Sequence, residues 1–442
     1  MTRNIFRATA SAWLGTLALL AGTTVQANTF ANESAPGNQV LEWNQVFIDT
    51  LIATNTPNSS SQRLGAIVHT AIFDAYNGIE RRYTPILAHP DAPRGASPRA
   101  AVIAAAYTVL VGLFPSRQAE LDASYAASLA ALDEADVGPS WWRAILWQSR
   151  QRGLAWGTEV ATAVLARRAT DGFSVSYPPF TGGTAVGQWR PVPPAIAMSA
   201  QGLAFTDMFV LASNAQFRPP APRTLASAAY TDDFNVVKAL GRGAGSTRTA
   251  EQTALAPFWE GNASVHWNQA ANQIARANRL SLSKANRLLA VLNLAMADTA
   301  FTIWSAKRFY GEVQTEVTWR PITAIRMADL DGNPDTLPDV DWLPLVNTPS
   351  HPEYPAGHPS LNGAAASILL SHFSDGQTFT LTTGATSRMY TSITQARMDG
   401  NNARVWGGMH YPSTVAISDT VGRRIARYVD RNSMQPLVKK RD

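Results

Sequence analysis

The sequence contains no cysteine among its 442 residues, and only 16% of its residues are charged. Disulfide bridges and thiolate metal sites are therefore excluded, so stability must come from packing. The formal net charge is +5, of which two units belong to Arg3 and Arg7. So small an excess gives no support for nucleic-acid binding, in spite of the basic isoelectric point. A hydrophobic content of 45% indicates a compact globular protein and argues against disorder.

Long apolar runs are also missing, except close to the N-terminus. There, two arginines precede an apolar run from Ala12 to Ala21 and the short ending Val25-Gln26-Ala27. This order predicts a secretory signal peptide over residues 1–27, cleaved after Ala27, with a buried N-terminal helix as the alternative. No later stretch reaches the roughly 18 consecutive apolar residues that a membrane span requires. We therefore expect a periplasmic or secreted chain without a membrane partner.

Apolar residues recur at helical intervals over most of the chain, and strands are scarce. The fold class is therefore predicted to be mainly α. His69 lies on one of these helices and is expected to be a core or surface residue without a catalytic role. The predicted helices cover 41–54, 61–79, 98–113, 118–133, 140–170, 227–240, 248–258, 262–279 and 283–309.

Residues 172–222 interrupt this pattern with paired prolines and paired glycines. A long irregular segment inside a compact protein is either a linker between lobes or a functional loop that covers a site. A boundary near Pro222 would separate an N-terminal helical region, 28–222, from a C-terminal helical region, 223–442.

The C-terminal region contains the segment Pro355-Ala356-Gly357-His358. The residues that follow have helical spacing, so Gly357 and His358 should lie at the N-terminus of a helix. Backbone amides and the helix dipole favour an anion at such a place. Considered alone, the segment is equally well explained as a turn with a capping or surface histidine.

A second segment, from Arg404 to His410, favours the anion hypothesis. Pro412 suits the first turn of a helix, which places His410 just ahead of a second helix start. Arg404 adds a planar, permanently charged fork suited to an oxyanion. Together the two segments predict a site that holds a tetrahedral oxyanion, such as phosphate or vanadate, and performs acid/base chemistry on it.

A lysine and an arginine precede these segments. Lys307 is three residues from Trp304 near the end of the predicted helix 283–309, so the two side chains share a face. A lysine near a helix C-terminus is ordinarily explained by the dipole and by solvent, and the residues alone favour that explanation. Arg320 follows after a loop, between Trp319 and Pro321.

In this order, the residues resemble the three-part motif shared by vanadium-dependent haloperoxidases and type 2 phosphatidic acid phosphatases. The stretch Trp319–Arg326 is similar to the secreted bacterial haloperoxidases. The resemblance implies packed helical bundles of the vanadium haloperoxidase and acid phosphatase type, with the anion site in the C-terminal half. The motif is carried by Lys307, Arg320-Pro321, Pro355–His358 and Arg404–His410.

The resemblance also implies a role for each residue and a cofactor, vanadate. His410 would be the axial ligand of vanadate or, in a phosphatase, the nucleophile, and His358 would be the acid/base group near the apical oxygen. Lys307 would also hydrogen-bond bound peroxide, and Trp304 matches an aromatic position near the halide. The groups around the equatorial oxygens would be Lys307, Arg320, Arg404 and the amide of Gly357.

The implied partners are hydrogen peroxide, a halide ion and a small organic acceptor. Vanadate would act as a Lewis acid that polarises peroxide for attack by the halide. A homo-oligomer is left open. An acid phosphatase with a phosphohistidine intermediate is one alternative, because the same site binds phosphate. A non-catalytic oxyanion-binding homologue is another.

Three features depart from the family pattern. Ala356 replaces the usual serine and removes one hydroxyl donor to the anion. The gap between Lys307 and Arg320 is wider than in the family, which leaves Arg308 as a substitute for a displaced Lys307. Thr414 stands where the phosphatases have an aspartate, which would fix the imidazole tautomer of the histidine.

His351, seven residues before His358, bears on the choice of halide. The matching position resembles phenylalanine in fungal chloroperoxidases and histidine in algal bromoperoxidases. We therefore count His351 with the catalytic residues and predict oxidation of bromide or iodide, with little or no chloride oxidation. A loop histidine without a role is the alternative.

Overall fold

The computed structural model describes residues 37–87, 91–135, 138–313 and 317–437. The predicted signal peptide over 1–27 lies outside these residues. From Asn38 onward the chain forms one compact unit. Helices dominate its described part, so the prediction of a mainly α fold is confirmed.

Each predicted helix is present within a few residues of its predicted bounds. The first half of the described chain contains α1 (Gln39–Ala53), α2 (Asn58–Glu80), α3 (Pro98–Leu113), α4 (Gln118–Ala135) and α5 (Ser140–Ala169). The second half contains α6 (Ala228–Leu240), α7 (Ala250–Phe258), α8 (Ala263–Ala277), α9 (Leu282–Glu312), α10 (Pro321–Arg326), α11 (Gly357–His372), α12 (Ile393–Trp406) and α13 (Pro412–Asn432).

Many helix starts are marked by a polar residue that caps the first turn. Such a side chain accepts a hydrogen bond from a backbone N–H that has no partner within the helix. The capping side chains are Asn38, Ser97, Ser227, Thr249, Asn262, Ser281 and Ser392.

Helix α9 is the core of the fold. It is long and apolar enough to cross a bilayer, yet its apolar stretch is completely buried by other helices. Helices α2, α11 and α13 pack around it. At Gly65 of α2 an added Cβ would lie 2.4 Å from Asn293 Oδ1, so only glycine allows this approach. Asn293 exchanges hydrogen bonds of 2.9 and 3.0 Å with Asn268 of α8, which satisfies both buried amides.

The sequence analysis did not anticipate an antiparallel hairpin formed by β1 (Phe379–Thr383) and β2 (Thr386–Tyr390). Its two-residue turn begins at Gly384, whose φ of +56° fits a primed hairpin turn. Side chains of α8 cover the hairpin edge, because Gln273 bonds both backbone groups of Thr380. The short helix α10 and helix α12 were also not predicted.

The irregular segment 172–222 contacts the C-terminal half of the chain at several points. The buried carboxylate of Asp298 in α9 accepts hydrogen bonds from the amides of Phe209, Val210 and Leu211 at 2.8 to 3.0 Å. Ser199 N donates to Ser350 O over 2.7 Å. The segment therefore lies across α9 and beside the loop that leads to α11, and the domain boundary near Pro222 stays a prediction.

Candidate active site

The predicted site residues converge from separate elements of the C-terminal half. Lys307 lies near the end of α9, and Arg320 is the residue that precedes α10. His351 lies in the loop that leads to α11, and Gly357 is the first residue of that helix. Arg404 occupies the last turn of α12, and His410 comes two residues before α13.

Nearly all of these side chains are removed from solvent. Lys307 and Arg320 are 0% exposed, Arg404 and His410 are 2% exposed, and His351 is 9% exposed. The interpretation of Lys307 as a solvated helix-end lysine is therefore wrong. The C-terminal half of α9 is surrounded by protein, so the dipole and solvent do not explain this residue.

Arg320 contacts two of the three histidines of the site, His351 and His410. Its Nε donates to His351 O over 3.0 Å, and its Nη2 donates to His351 Nδ1 over 2.8 Å. Its Nη1 lies 2.9 Å from Met409 O and 3.2 Å from His410 Nε2. Burial lowers the pKa of Arg320 to about 9, which keeps the guanidinium charged at neutral pH.

Lys307 lies in the same cluster. Its Nζ donates to the carbonyl oxygens of Pro352 and Glu353 at 2.6 and 3.2 Å. Burial, and then the charge of Arg320, lower the pKa of Lys307 well below its usual value. A bound anion would favour its protonated form again.

Arg308, considered above as a substitute for Lys307, points elsewhere. Its guanidinium pairs with Glu312 and donates to Gln201 Oε1 over 3.1 Å. Because neighbouring residues of a helix diverge by about 100°, Lys307 and Arg308 cannot both face the cluster. Lys307 therefore faces the cluster in spite of the wider gap before Arg320, and Arg308 does not substitute for it.

Arg404 carries donors that the described residues leave unsatisfied. Its Nε and Nη1 atoms are buried and have no hydrogen-bond partner within the described chain. Burial lowers its pKa to about 10, and the neighbouring Glu260 opposes this shift. A buried, charged donor without an acceptor is costly. The site is therefore complete only when an acceptor, such as an anion, binds beside Arg404.

His410 has a defined orientation. Its Nδ1 lies 2.9 Å from Glu353 Oε1, on the side of the ring opposite Arg320. Burial, with the nearby cations, lowers the pKa of His410 well below its ordinary value. The imidazole is therefore neutral at neutral pH, which is the form that binds a metal or attacks phosphorus.

Glu353 was not among the predicted site residues. The sequence did offer a signal, because Glu353 lies between two candidate histidines, two residues after His351 and five before His358. In the structure this buried carboxylate needs a cationic partner. Burial raises its pKa to about 7, while Arg320 and the Tyr411 amide oppose the shift.

His358 lies at the rim of the cluster and is only partly buried. Its Nε2 is 3.3 Å from Gly261 O. Burial, and then Arg404, lower the pKa of His358. Trp304 packs close to Gly357, because a Cβ there would lie 3.4 Å from the indole ring. The Trp304 ring centroid is also 5.2 Å from that of His351, so the indole forms one wall of the site.

The charge balance selects an anion. Two guanidinium groups and Lys307 face one buried carboxylate, Glu353. Within the described ranges, no three or more His, Cys, Asp or Glu side chains group so that they could hold a metal cation. The unsatisfied donors of Arg404 and the lone pair of His410 Nε2, which Arg320 Nη1 approaches to 3.2 Å, suit a tetrahedral oxyanion with one nitrogen ligand, so the residues fit vanadate.

Residues 287–438 match the family model of the VCPO second helical-bundle domain, and every predicted site residue lies within this range. Over this range, which is 152 of the 442 residues, the chain is similar to the vanadium haloperoxidases. The matched range contains Lys307, Arg320, Glu353, Arg404 and His410 together. No curated protein sequence matches the chain significantly.

Solved structures of bacterial vanadium enzymes have the same fold. The first bacterial vanadium-dependent iodoperoxidase is 22% identical, with a TM-score of 0.72, and the match covers 92% of this chain and 100% of that one. The apo form of a bacterial vanadium-dependent chloroperoxidase is 17% identical, with a TM-score of 0.63, over 85% of this chain and 93% of that one. Its holo form is also 17% identical, with a TM-score of 0.60. The helical arrangement of this chain is therefore shared with these structures over most of its length.

Proposed function

We propose that this protein is a secreted vanadium-dependent haloperoxidase that oxidises bromide or iodide with hydrogen peroxide. The observation that carries the proposal is the pair of buried, unsatisfied donors on Arg404. They belong to a cluster whose positive charges outnumber its one carboxylate. The match of residues 287–438 to the VCPO second helical-bundle domain supports vanadate as the anion that completes it.

Each residue of the cluster has a role that its contacts support. His410 offers the Nε2 lone pair as the single protein ligand, and Arg404, Lys307 and Arg320 neutralise the oxygens of the anion. Bound vanadate would supply Lewis-acid activation of hydrogen peroxide. His358, at the partly exposed rim, is placed to exchange protons between the site and water.

The burial of the site favours small substrates. The groups that would hold the anion are between 0% and 2% exposed, and Trp304 covers one side of the cluster. Hydrogen peroxide and halide ions contain few atoms and can enter such a site. A phosphate ester with a large leaving group would need a wider opening, so we place the organic acceptor of the oxidised halide outside the cluster.

A phosphatase is the second candidate, because Glu353 orients His410 as a nucleophile would require. A haloperoxidase needs bound vanadate, whereas a phosphatase needs the same site free of it. The purified protein should be incubated with orthovanadate and assayed for peroxide-dependent bromination, and the vanadate-free form should be assayed for hydrolysis of phosphate esters. Hydrolysis without any peroxide-dependent bromination would favour the phosphatase.

His410→Ala tests the assigned ligand. We expect this variant to lose vanadate retention and all turnover while its helical content stays unchanged, because the substitution removes the Nε2 lone pair assigned as the protein ligand. His372→Ala, at an exposed histidine of α11, is the control and should behave as the unmodified protein. Stoichiometric vanadate in His410→Ala after dialysis would show that another group is the ligand.

Secretion is a separate part of the proposal and depends on residues 1–27. Expression of the full chain in a bacterial host, followed by fractionation and N-terminal sequencing, tests it. We expect a processed protein that begins at Asn28. An unprocessed chain in the cytoplasm would contradict the prediction.

A further inference from the structure

The Glu353 carboxylate joins the loop before α11 to the start of α13. It is 0% exposed. Its Oε1 atom lies 2.9 Å from His410 Nδ1 and accepts a hydrogen bond from Tyr411 N over 3.1 Å. Its Oε2 atom accepts a hydrogen bond from Thr414 Oγ1, also over 3.1 Å. Both oxygens are thus engaged by the segment that carries His410.

The tautomer of His410 follows from its two neighbours. Arg320 Nη1, which can only donate, lies 3.2 Å from Nε2. A neutral imidazole has one donor and one acceptor nitrogen, so Nε2 must be the acceptor and Nδ1 must carry the hydrogen. That hydrogen is donated to Glu353 Oε1. The lone pair of Nε2 is therefore held toward the cationic cluster and away from the carboxylate.

Thr414 does not perform this orienting function. Thr414 has a hydroxyl group where the related phosphatases have an aspartate, and the hydroxyl is donated to Glu353 Oε2. A carboxylate from a different segment of the chain therefore reaches the same nitrogen. Lys307 fixes that segment in turn, because its Nζ donates to the main-chain oxygen of Glu353 over 3.2 Å.

We propose that Glu353 is the positioning residue of His410, and that it takes the place of the missing aspartate at position 414. This inference rests on the proposed function for its consequence, but the tautomer of His410 does not depend on that function. A carboxylate that accepts from Nδ1–H orients the ring and makes Nε2 a better ligand. Loss of such a partner typically costs about 10-fold to 100-fold in affinity for the bound group.

Glu353→Gln is the first test, because it preserves shape and removes the charge. Its affinity for orthovanadate and for inorganic phosphate should be measured by calorimetry. For orthovanadate we expect dissociation constants about 10-fold higher in Glu353→Gln and about 100-fold higher in Glu353→Ala. For inorganic phosphate, which forms no bond to Nε2 on binding, we expect a smaller change. Glu312→Gln, at an exposed carboxylate that pairs with Arg308, is the matched control and should bind as the unmodified protein does.

The second measurement reports on the imidazole directly. In protein labelled with ¹⁵N-histidine, the signals of His410 are identified by their loss in His410→Ala. In this tautomer measurement we expect Nδ1–H in the unmodified protein and in Glu353→Ala, because Arg320 still donates to Nε2. The Nδ1–H signal should move upfield in Glu353→Ala, because its acceptor is lost. The double variant Glu353→Ala/Thr414→Asp should recover the hydrogen-bonded Nδ1–H signal and most of the affinity, because the side chain at position 414 contacts the Glu353 carboxylate.

Two outcomes separate this inference from the proposed function. If the unmodified protein binds neither anion, the proposed function fails, and the tautomer measurement still decides the role of Glu353. If the unmodified protein binds orthovanadate while Glu353→Gln and Glu353→Ala bind it equally tightly, with unchanged His410 signals, the positioning role is wrong. Circular dichroism on each variant establishes that it is folded, and Thr414→Val, which removes only the Oε2 contact, should show a smaller loss.

Discussion

His351 is held by an arginine that also contacts His410. Because Arg320 Nη2 can only donate, His351 Nδ1 is an acceptor and the hydrogen of this ring lies on Nε2. Beside it stands Trp304, whose ring centroid is 5.2 Å away. The position that we linked to halide preference is therefore part of the hydrogen-bond network of the site, and its role in halide choice stays a prediction.

Halide preference is the first prediction at the residue scale. Chloride is harder to oxidise than bromide or iodide and demands the most strongly activated peroxide and a dry site. We expect the unmodified protein to oxidise bromide and iodide, with little or no chloride turnover. His351→Phe removes a polar group and frees Arg320 Nη2 for the anion, so chloride turnover should rise at mildly acidic pH.

Steady-state rates with the three halides on both proteins measure this effect. His372→Phe, at an exposed histidine, is the control for the substitution itself. Efficient chloride oxidation by the unmodified protein would contradict the role assigned to His351.

Ala356 gives a second prediction at this scale. It precedes α11, is 0% exposed and has no side-chain cap, and its N–H donates to Ser418 Oγ over 2.8 Å. Ala356→Ser adds a hydroxyl that can accept from His358 N and donate to the anion. A hydrogen bond to a charged group contributes about 1.5 to 3 kcal/mol at most. Orthovanadate should bind more tightly, up to about 10-fold to 100-fold. An equal or higher dissociation constant would mean that position 356 does not face the anion.

At the scale of elements, α9 organises both the core and the covering segment. Its buried Asp298 accepts from the amides of Phe209, Val210 and Leu211. Six residues further along the same helix, Trp304 Nε1 donates to Ser199 O over 3.3 Å. The irregular segment 172–222 is thus fixed to the helix that carries Lys307, which favours the covering loop among the two interpretations of this segment.

Asp298→Ala is the prediction for this element. It leaves three backbone amides without their acceptor, and each buried, unsatisfied donor costs about 1 to 3 kcal/mol. We expect a lower free energy of unfolding and faster cleavage within 172–222 during limited proteolysis. Asp207→Ala, at an exposed carboxylate of the same segment, is the control and should change neither quantity measurably. Equal cleavage rates in the two variants would show that Asp298 does not anchor the segment.

For the molecule as a whole, buried histidines make stability depend on pH. Burial lowers the pKa of His69 to about 3 and that of His266 to about 4. Their unfolded pKa is about 6.5, so between these values the unfolded chain binds more protons than the folded one. Stability is therefore fully present above pH 6.5 and is lost as the pH falls toward the folded pKa values.

His69→Gln tests this dependence. The amide can replace the contact of His69 Nε2 with Asn44 Oδ1, which is 3.0 Å long. In denaturant titrations between pH 6 and pH 4, we expect the loss of unfolding free energy to be smaller in the variant by about 1.4 kcal/mol per pH unit. An unchanged slope would mean that His69 is protonated in the folded protein.

The sequence by itself determined most of the helices, though not α10 and α12, and the residue types of the oxyanion motif. Helix bounds depend on local spacing, caps and breakers, which lie within one turn of each other in the chain. The oxyanion motif is also a local signal. Gly357 and His358 begin α11, and Arg404 and His410 precede α13. The hairpin at 379–390 was not predicted, because its strands are short. Glutamine side chains of α8, which are distant in the sequence, bond its backbone.

Only the tertiary structure decided which charges meet. Lys307 and Arg308 are adjacent in the chain, but one is buried in the anion site and the other pairs with Glu312. Glu353 and His410 are 57 residues apart, and no local pattern connects them. Burial and pairing of charges depend on how α9, α11 and α13 pack, because solvent and distant parts of the chain set the free energy of each charge.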